Sequence, residues 1–174
     1  MNYSEVRSRI QSGDILAWSH YDWSTWYDIK VQAVRMGTES EYSHVALARV
    51  MDGRVWCLES VTPLVRCVPL SNLIEKGFYW IPMGREMSPP ELEYAYSKVA
   101  IAHYSQIEAV KAQICAGLQS HDENVMECAK YVRACCAMSG LTVGDKDVPA
   151  AVVRGAQDMG KSVFFVNPDD GAAQ

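Results

Sequence analysis

The apolar positions of this chain fall in short runs with polar breaks between them. The clearest pair is Ser43-His-Val-Ala-Leu-Ala-Arg-Val-Met51 and Arg54-Val-Trp-Cys-Leu-Glu-Ser60, separated by Asp52-Gly53. Asp-Gly between two strand-like runs predicts a β-hairpin with a two-residue loop. Ile15-Leu-Ala-Trp18 reads as a buried strand, Val65–Pro69 and Gly77–Pro82 as two more, and Ser162–Val166 as a last one. A turn or short helix is expected at Ser71–Glu75.

Elsewhere the spacing changes to that of a helix. Val125, Cys128, Ala129, Val132, Cys135 and Cys136 recur at offsets of three, four and seven, which puts them on one helix face against a core. This helix is expected to stop near Gly140, a residue suited to a left-handed cap. Its start is predicted at Asn124 with Glu127, or at Ser120 with Glu123, as a capping box. Further helices are expected over Ser4–Gln11 (capped by Ser4 and ended by Gly13-Asp14), Ser24–Met36, Ser88 to about His103, Gln106–Gly117 and Pro149–Met159. Asn167–Gln174 reads as a loose tail, and no repeat or linker divides the chain, so 1–174 is expected to form one α+β domain.

With 49% hydrophobic residues, the 174-residue chain can build a substantial core. A formal net charge of -5 without a basic cluster argues against nucleic acid or an anionic membrane as partner. No apolar run approaches the roughly 18 residues of a transmembrane span, and the amino end lacks a signal-peptide pattern. The expectation is a cytoplasmic protein, or one carried in a phage particle, with reduced thiols at cysteines 57, 67, 115, 128, 135 and 136. With no Cys-x-x-Cys pair and no zinc spacing among the four histidines, no metal or other cofactor is expected.

Candidate chemistry follows from the hairpin. A two-residue loop sets Ala46 opposite Glu59, so that His44, Ala46, Cys57, Glu59 and Val61 share one face. His44 and Glu59 become diagonal neighbours, roughly 7–8 Å apart at Cα, within reach of a long side chain. A carboxylate there fixes the imidazole tautomer and raises its pKa, which supplies the base and orienter of a nucleophilic triad. The nucleophile is sought at a helix entrance. Unpaired N–H groups and the helix dipole there stabilise a thiolate and lower a thiol pKa from its free value of about 8.5. Cys128 meets that condition; Cys135 and Cys136 read as structural thiols. Asp14 reads as a turn or cap residue, and His20, His103 and His121 rank behind His44.

Gly13-Asp-Ile-Leu, Tyr42-Ser-His44-Val-Ala-Leu, Val-Trp-Cys-Leu-Glu59-Ser, a strand ending Val-Pro-Leu, and Glu127-Cys128-Ala-Lys-Tyr-Val occur in that order. Over about residues 12 to 166 the chain thereby resembles the circularly permuted branch of the NlpC-type, papain-like cysteine peptidases, especially its YiiX-like members. It departs from that branch's frequent Asn-Cys-Ser-Glu form by having Glu127 before Cys128, and Ala129-Lys130 after it. The resemblance implies a small antiparallel sheet or barrel packed against helices, with the nucleophile early in a late helix. It implies Cys128 as nucleophile, His44 as base and Glu59 as orienter, acting on amide bonds of cell-wall (peptidoglycan) peptides. Relatives in the branch also include lipid acyltransferases, and a non-catalytic module keeping the fold is a third reading. The second oxyanion donor is not legible; the stretch from Trp18 to Trp23 is a candidate by position.

Overall fold

The run Ile15-Leu-Ala-Trp18 is apolar at every position because it becomes a strand covered on both faces. In the computed structural model, which describes residues 1–19, 42–103 and 125–169, this is β1 (Ile15–Trp18). It lies between β2 (His44–Met51) and β5 (Phe78–Ile81) in a six-stranded sheet. With β3 (Arg54–Ser60), β4 (Val65–Pro69) and β6 (Phe164–Val166), the order is β4-β3-β2-β1-β5-β6, and every pairing is antiparallel. Four α-helices are described: α1 (Tyr3–Val6), α2 (Pro89–Lys98), α3 (Cys128–Ala137) and α4 (Pro149–Asp158). The class is α+β, as the runs predict.

Strand alternation sorts the core into two layers. Ile15, Ala17, Val45, Leu47, Leu58, Val65 and Ile81 pack with α3 and α4 on one face. Leu16, Trp18, Ala46, Ala48, Val55, Cys57, Phe78 and Trp80 pack with Tyr3, Val6, Ile10 and Leu70 on the other. The hairpin forms as expected. Asp52 and Gly53 take φ of 50° and 71°, the pair of positive values that a type I′ turn requires, and Met51 pairs with Arg54 through to Leu47 with Leu58.

Several boundaries differ from the sequence reading. The first helix spans Tyr3–Val6 and is capped by Asn2, whose N–H donates to Glu5 Oε2 at 2.8 Å; that capping box displaces Ser4, and a 3₁₀ turn follows at Arg7–Arg9. Helix α2 ends at Lys98 rather than near His103. There Ala100 adopts φ 59° and its N–H donates to Val65 O at 2.9 Å, so the chain leaves the helix to pair along β4. The expected turn at Ser71–Glu75 is a 3₁₀ turn at Leu70–Asn72. The beginning of the expected tail is tied down: Tyr3 N–H donates to Asn167 O, Asn167 N–H to Met1 O, and Ser4 N–H to Asp169 Oδ1. The helices expected over Ser24–Met36 and Gln106–Gly117, the end of the tail, and His20, Cys115 and His121 lie outside the described residues. Among the described residues, no helix is long and apolar enough to cross a membrane.

Candidate active site

Cys128 is the first residue of α3, with Glu127 as the N-cap in extended conformation (φ -100°, ψ 165°) and no side-chain cap. The capping boxes expected at Asn124 or Ser120 are therefore not what starts this helix. An absent side-chain cap leaves first-turn N–H groups to other acceptors, and the Cys128 sulfur takes one of them, from Ala129. A second backbone donor to the sulfur is Val45 N–H, from β2.

The approach to the helix is fixed from three sides. Met126 N–H donates to His103 O at 2.9 Å, Ser60 Oγ donates to Met126 O at 2.9 Å, and Lys130 Nζ donates to Val125 O at 2.9 Å. His103 thus serves the site through its backbone. Ser60 is fully buried, and its bond joins β3 to the residue two before the nucleophile. Ser60→Ala leaves the Met126 carbonyl without this donor and is expected to cost about 1–3 kcal/mol of stability, read from urea unfolding.

His44 is the first residue of β2. Its Nε2 is 2.7 Å from Glu59 Oε2, the contact the hairpin register anticipates. The thiol of Cys128 interacts with the same ring, which raises the ring's affinity for a proton and lowers the thiol's. Helix α3 packs on the Val45, Leu47 and Leu58 face, whereas His44 and Glu59 occupy the alternate positions. Thiol and ring meet because each opens its own element, at the end of the sheet. Trp18 backs the imidazole, with ring centroids 5.5 Å apart, and commits its indole N–H to Leu73 O at 3.2 Å. Its indole N–H is thereby removed from the candidate oxyanion donors; of the rest of that stretch only Ser19 is described.

A fourth residue, absent from the sequence reading, completes the chain of contacts. Arg66 on β4 pairs directly across from Glu59 on β3. Its Nε donates to Glu59 Oε1 at 2.8 Å and its Nη2 lies 2.6 Å from the same oxygen. Glu59 therefore gives one oxygen to His44 and the other to Arg66.

The electrostatics separate Cys128 from the other described cysteines. All five are free thiols. Burial pushes Cys57, Cys67, Cys135 and Cys136 up, Cys136 to about 11. Burial also opposes a charge on Cys128, but the His44 hydrogen bond and charge, with the Val45 and Ala129 N–H groups, override it and lower this thiol. Desolvation likewise opposes a charge on His44; the contacts to Cys128 and Glu59 outweigh it and raise the ring to about 10. Glu59 is held below the usual carboxylate range by His44 and Arg66 despite its burial. The state these shifts favour at neutral pH is a thiolate–imidazolium pair backed by a carboxylate.

Asp14 is structural, as its turn position suggested. It is buried and accepts from Gln11 N–H, Trp80 Nε1 and Met83 N–H at 2.8–2.9 Å, which ties three segments together. Gly13 before it takes φ 97°, and a Cβ there would come within 2.9 Å of Met87 Cγ. Cys135 and Cys136 are core residues on the buried face of α3. Among the described residues, no group of three or more His, Cys, Asp and Glu side chains is placed to hold a metal ion.

No family model matches the sequence, and no curated protein matches it. Among solved structures, the fold is similar to that of YiiX from Escherichia coli O157:H7, described as a metalloprotein. The TM-score is 0.65 at 15% identity, over 89% of this chain and 96% of that one. At that identity the likeness is one of fold.

Proposed function

We propose that this chain is a cysteine hydrolase of the permuted NlpC-type, papain-like kind, and that it cleaves an amide bond in peptidoglycan peptides. The observation that carries the reading is His44 held at 2.7 Å by Glu59 and interacting with Cys128 at the start of α3, with the thiol lowered and the imidazole raised. The choice of amide substrate rests on the resemblance in the motifs around His44, Glu59 and Cys128.

In this mechanism the Cys128 thiolate adds to the carbonyl carbon and the oxyanion forms beside the helix start, where the Cys128 backbone N–H is the donor at hand. The His44 imidazolium gives its proton to the departing amine as the carbon–nitrogen bond breaks. Neutral His44 then takes a proton from water, hydroxide displaces the thiolate from the thioester, and the pair is restored. Glu59 keeps the ring oriented and its charge compensated. The metal in YiiX is a property of that protein. The described residues here offer no matching cluster, and no step above runs through a metal.

The test is a panel of cell-wall peptide fragments read by mass spectrometry, with labelled acyl lipids in vesicles as a second arm. Cleavage by the native chain and none by Cys128→Ala supports the reading. An acyl group trapped on Cys128 only from lipid replaces hydrolysis with acyl transfer, and no turnover in either arm with a slow thiol leaves a non-catalytic module. Within the same panel, Glu59→Gln keeps a hydrogen-bonding side chain beside the ring but removes its charge. It is expected to lower kcat/KM by about 10- to 100-fold, less than loss of the proton-transfer group itself. Equal losses in Glu59→Gln and His44→Ala would show that the two roles are mis-ranked.

A further inference from the structure

We infer that Arg66 is a positioning residue of this site, the outer member of a Cys128–His44–Glu59–Arg66 chain that keeps Glu59 ionised and aimed at the ring. The inference rests on the hydrolase reading above and extends it to a residue that its triad leaves out.

Glu59 is 2% exposed, and a buried carboxylate needs a donor on each oxygen to stay charged. Oε2 is satisfied by His44, and Oε1 receives both contacts from the guanidinium, Nε at 2.8 Å and Nη2 at 2.6 Å. Cross-strand pairing of Glu59 with Arg66 sets this geometry in the backbone rather than leaving it to a flexible side chain. The guanidinium pins Oε1, so Oε2 cannot turn away from Nε2 without breaking the hydrogen bond and ion pair that hold Oε1. Arginine also keeps its proton across the working pH range, so its charge favours the ionised form of Glu59 throughout that range.

Among the described residues, few groups act electrostatically on Glu59. His44 from β2 and Arg66 from β4 both favour its charge; Cys57, two residues back on β3, feels it in return, and Cys128 lies beyond the ring. The Arg66 side chain is 48% exposed, so it fills no part of the core and its removal opens no cavity; what its loss costs falls on the buried Glu59 carboxylate. Removing it leaves Oε1 buried without its guanidinium. Glu59 then takes a proton at higher pH, the imidazolium loses its counter-charge, and the thiolate goes with it.

The readout is the pH profile of Cys128 alkylation by iodoacetamide on the full chain, mapped by peptide mass spectrometry, for native protein, Arg66→Met and Arg66→Lys. In Arg66→Met the acid edge of labelling is expected to move up by about one pH unit, so that labelling at pH 5 falls about tenfold while labelling at pH 8 changes less than about twofold. Arg66→Lys, which keeps the charge, is expected to recover most of the loss at pH 5. Profiles for Arg66→Met that superimpose on the native one overturn the inference. So does an equal loss at every pH accompanied by a lower thermal midpoint, which is the mark of a merely structural side chain. If native Cys128 labels no faster at pH 6 than the other cysteines, the hydrolase reading itself fails, and that outcome is visible before any variant is compared.

Discussion

Cys128→Ala is expected to lower kcat/KM on a cleaved wall peptide by about 10⁴-fold or more, because what remains is binding and an oxyanion site with nothing to attack the carbonyl. The fold should survive. The substitution removes one sulfur at the first residue of α3, where Cys128 is 6% exposed, and its stability cost is expected to stay under about 2 kcal/mol. Cys135→Ala supplies a matched control. It takes the same atom from the same helix face about two turns on, at a position that is fully buried and lacks an imidazole. Its stability cost should be comparable and its activity within about threefold of native. Circular dichroism and the fragment panel together check the pair. Activity in Cys128→Ala, or its loss in Cys135→Ala with the fold intact, would reassign the nucleophile.

The contrast between those two cysteines marks where sequence was informative. Periodicity placed both on one face of α3, and only their distance from the helix start separated them. The hairpin was legible because Asp52-Gly53 favours a two-residue type I′ turn, and that turn fixes every pair from Met51–Arg54 inward and brings Glu59 to His44. The helix start was not, since the capping rule that Asn124 and Ser120 match is not what begins α3; Glu127 provides the N-cap through its backbone. Arg66 escaped for a related reason. Its strand was recognisable, but the four residues between Ser60 and Val65 do not dictate a register, and only the register sets Arg66 opposite Glu59. Nor does any local pattern tie Ser60 to Met126, 66 positions away. Short-range turn chemistry was readable, whereas contacts set by the packing of distant segments were not.

His44→Ala is expected to slow iodoacetamide labelling of Cys128 at pH 6 by about a hundredfold. An ordinary thiol with a pKa near 8.5 is only about one part in 300 thiolate at pH 6. Without the ring the burial of Cys128 remains and pushes the thiol further up, as it does for Cys136, raised to about 11 on the same helix. The greater nucleophilicity of a more basic thiolate returns part of the loss, and about a hundredfold is left. The shape of the profile is as diagnostic as its size. Native labelling should rise at the lowered pKa of Cys128 and stay level until His44 releases its proton at about 10; the variant should climb steadily from pH 6 to 9. Stability follows the same pair. Raised, His44 contributes fully below its unfolded value of about 6.5 and loses that contribution as pH climbs to about 10. Lowered, Cys128 contributes fully above its unfolded value of about 8.5 and loses it as pH falls. Between those unfolded values, folding only moves a proton from sulfur to nitrogen, so the pair adds no slope. The native-minus-variant difference in thermal midpoint should be level there and shrink below about 6.5; above about 8.5 both proteins lose stability together, because the buried thiol of the variant keeps its proton while the unfolded chain gives one up. A native labelling profile that climbs from pH 6 to 9 as the variant's does would mean a thiol protonated at rest, without the charged nucleophile on which the proposed hydrolysis depends.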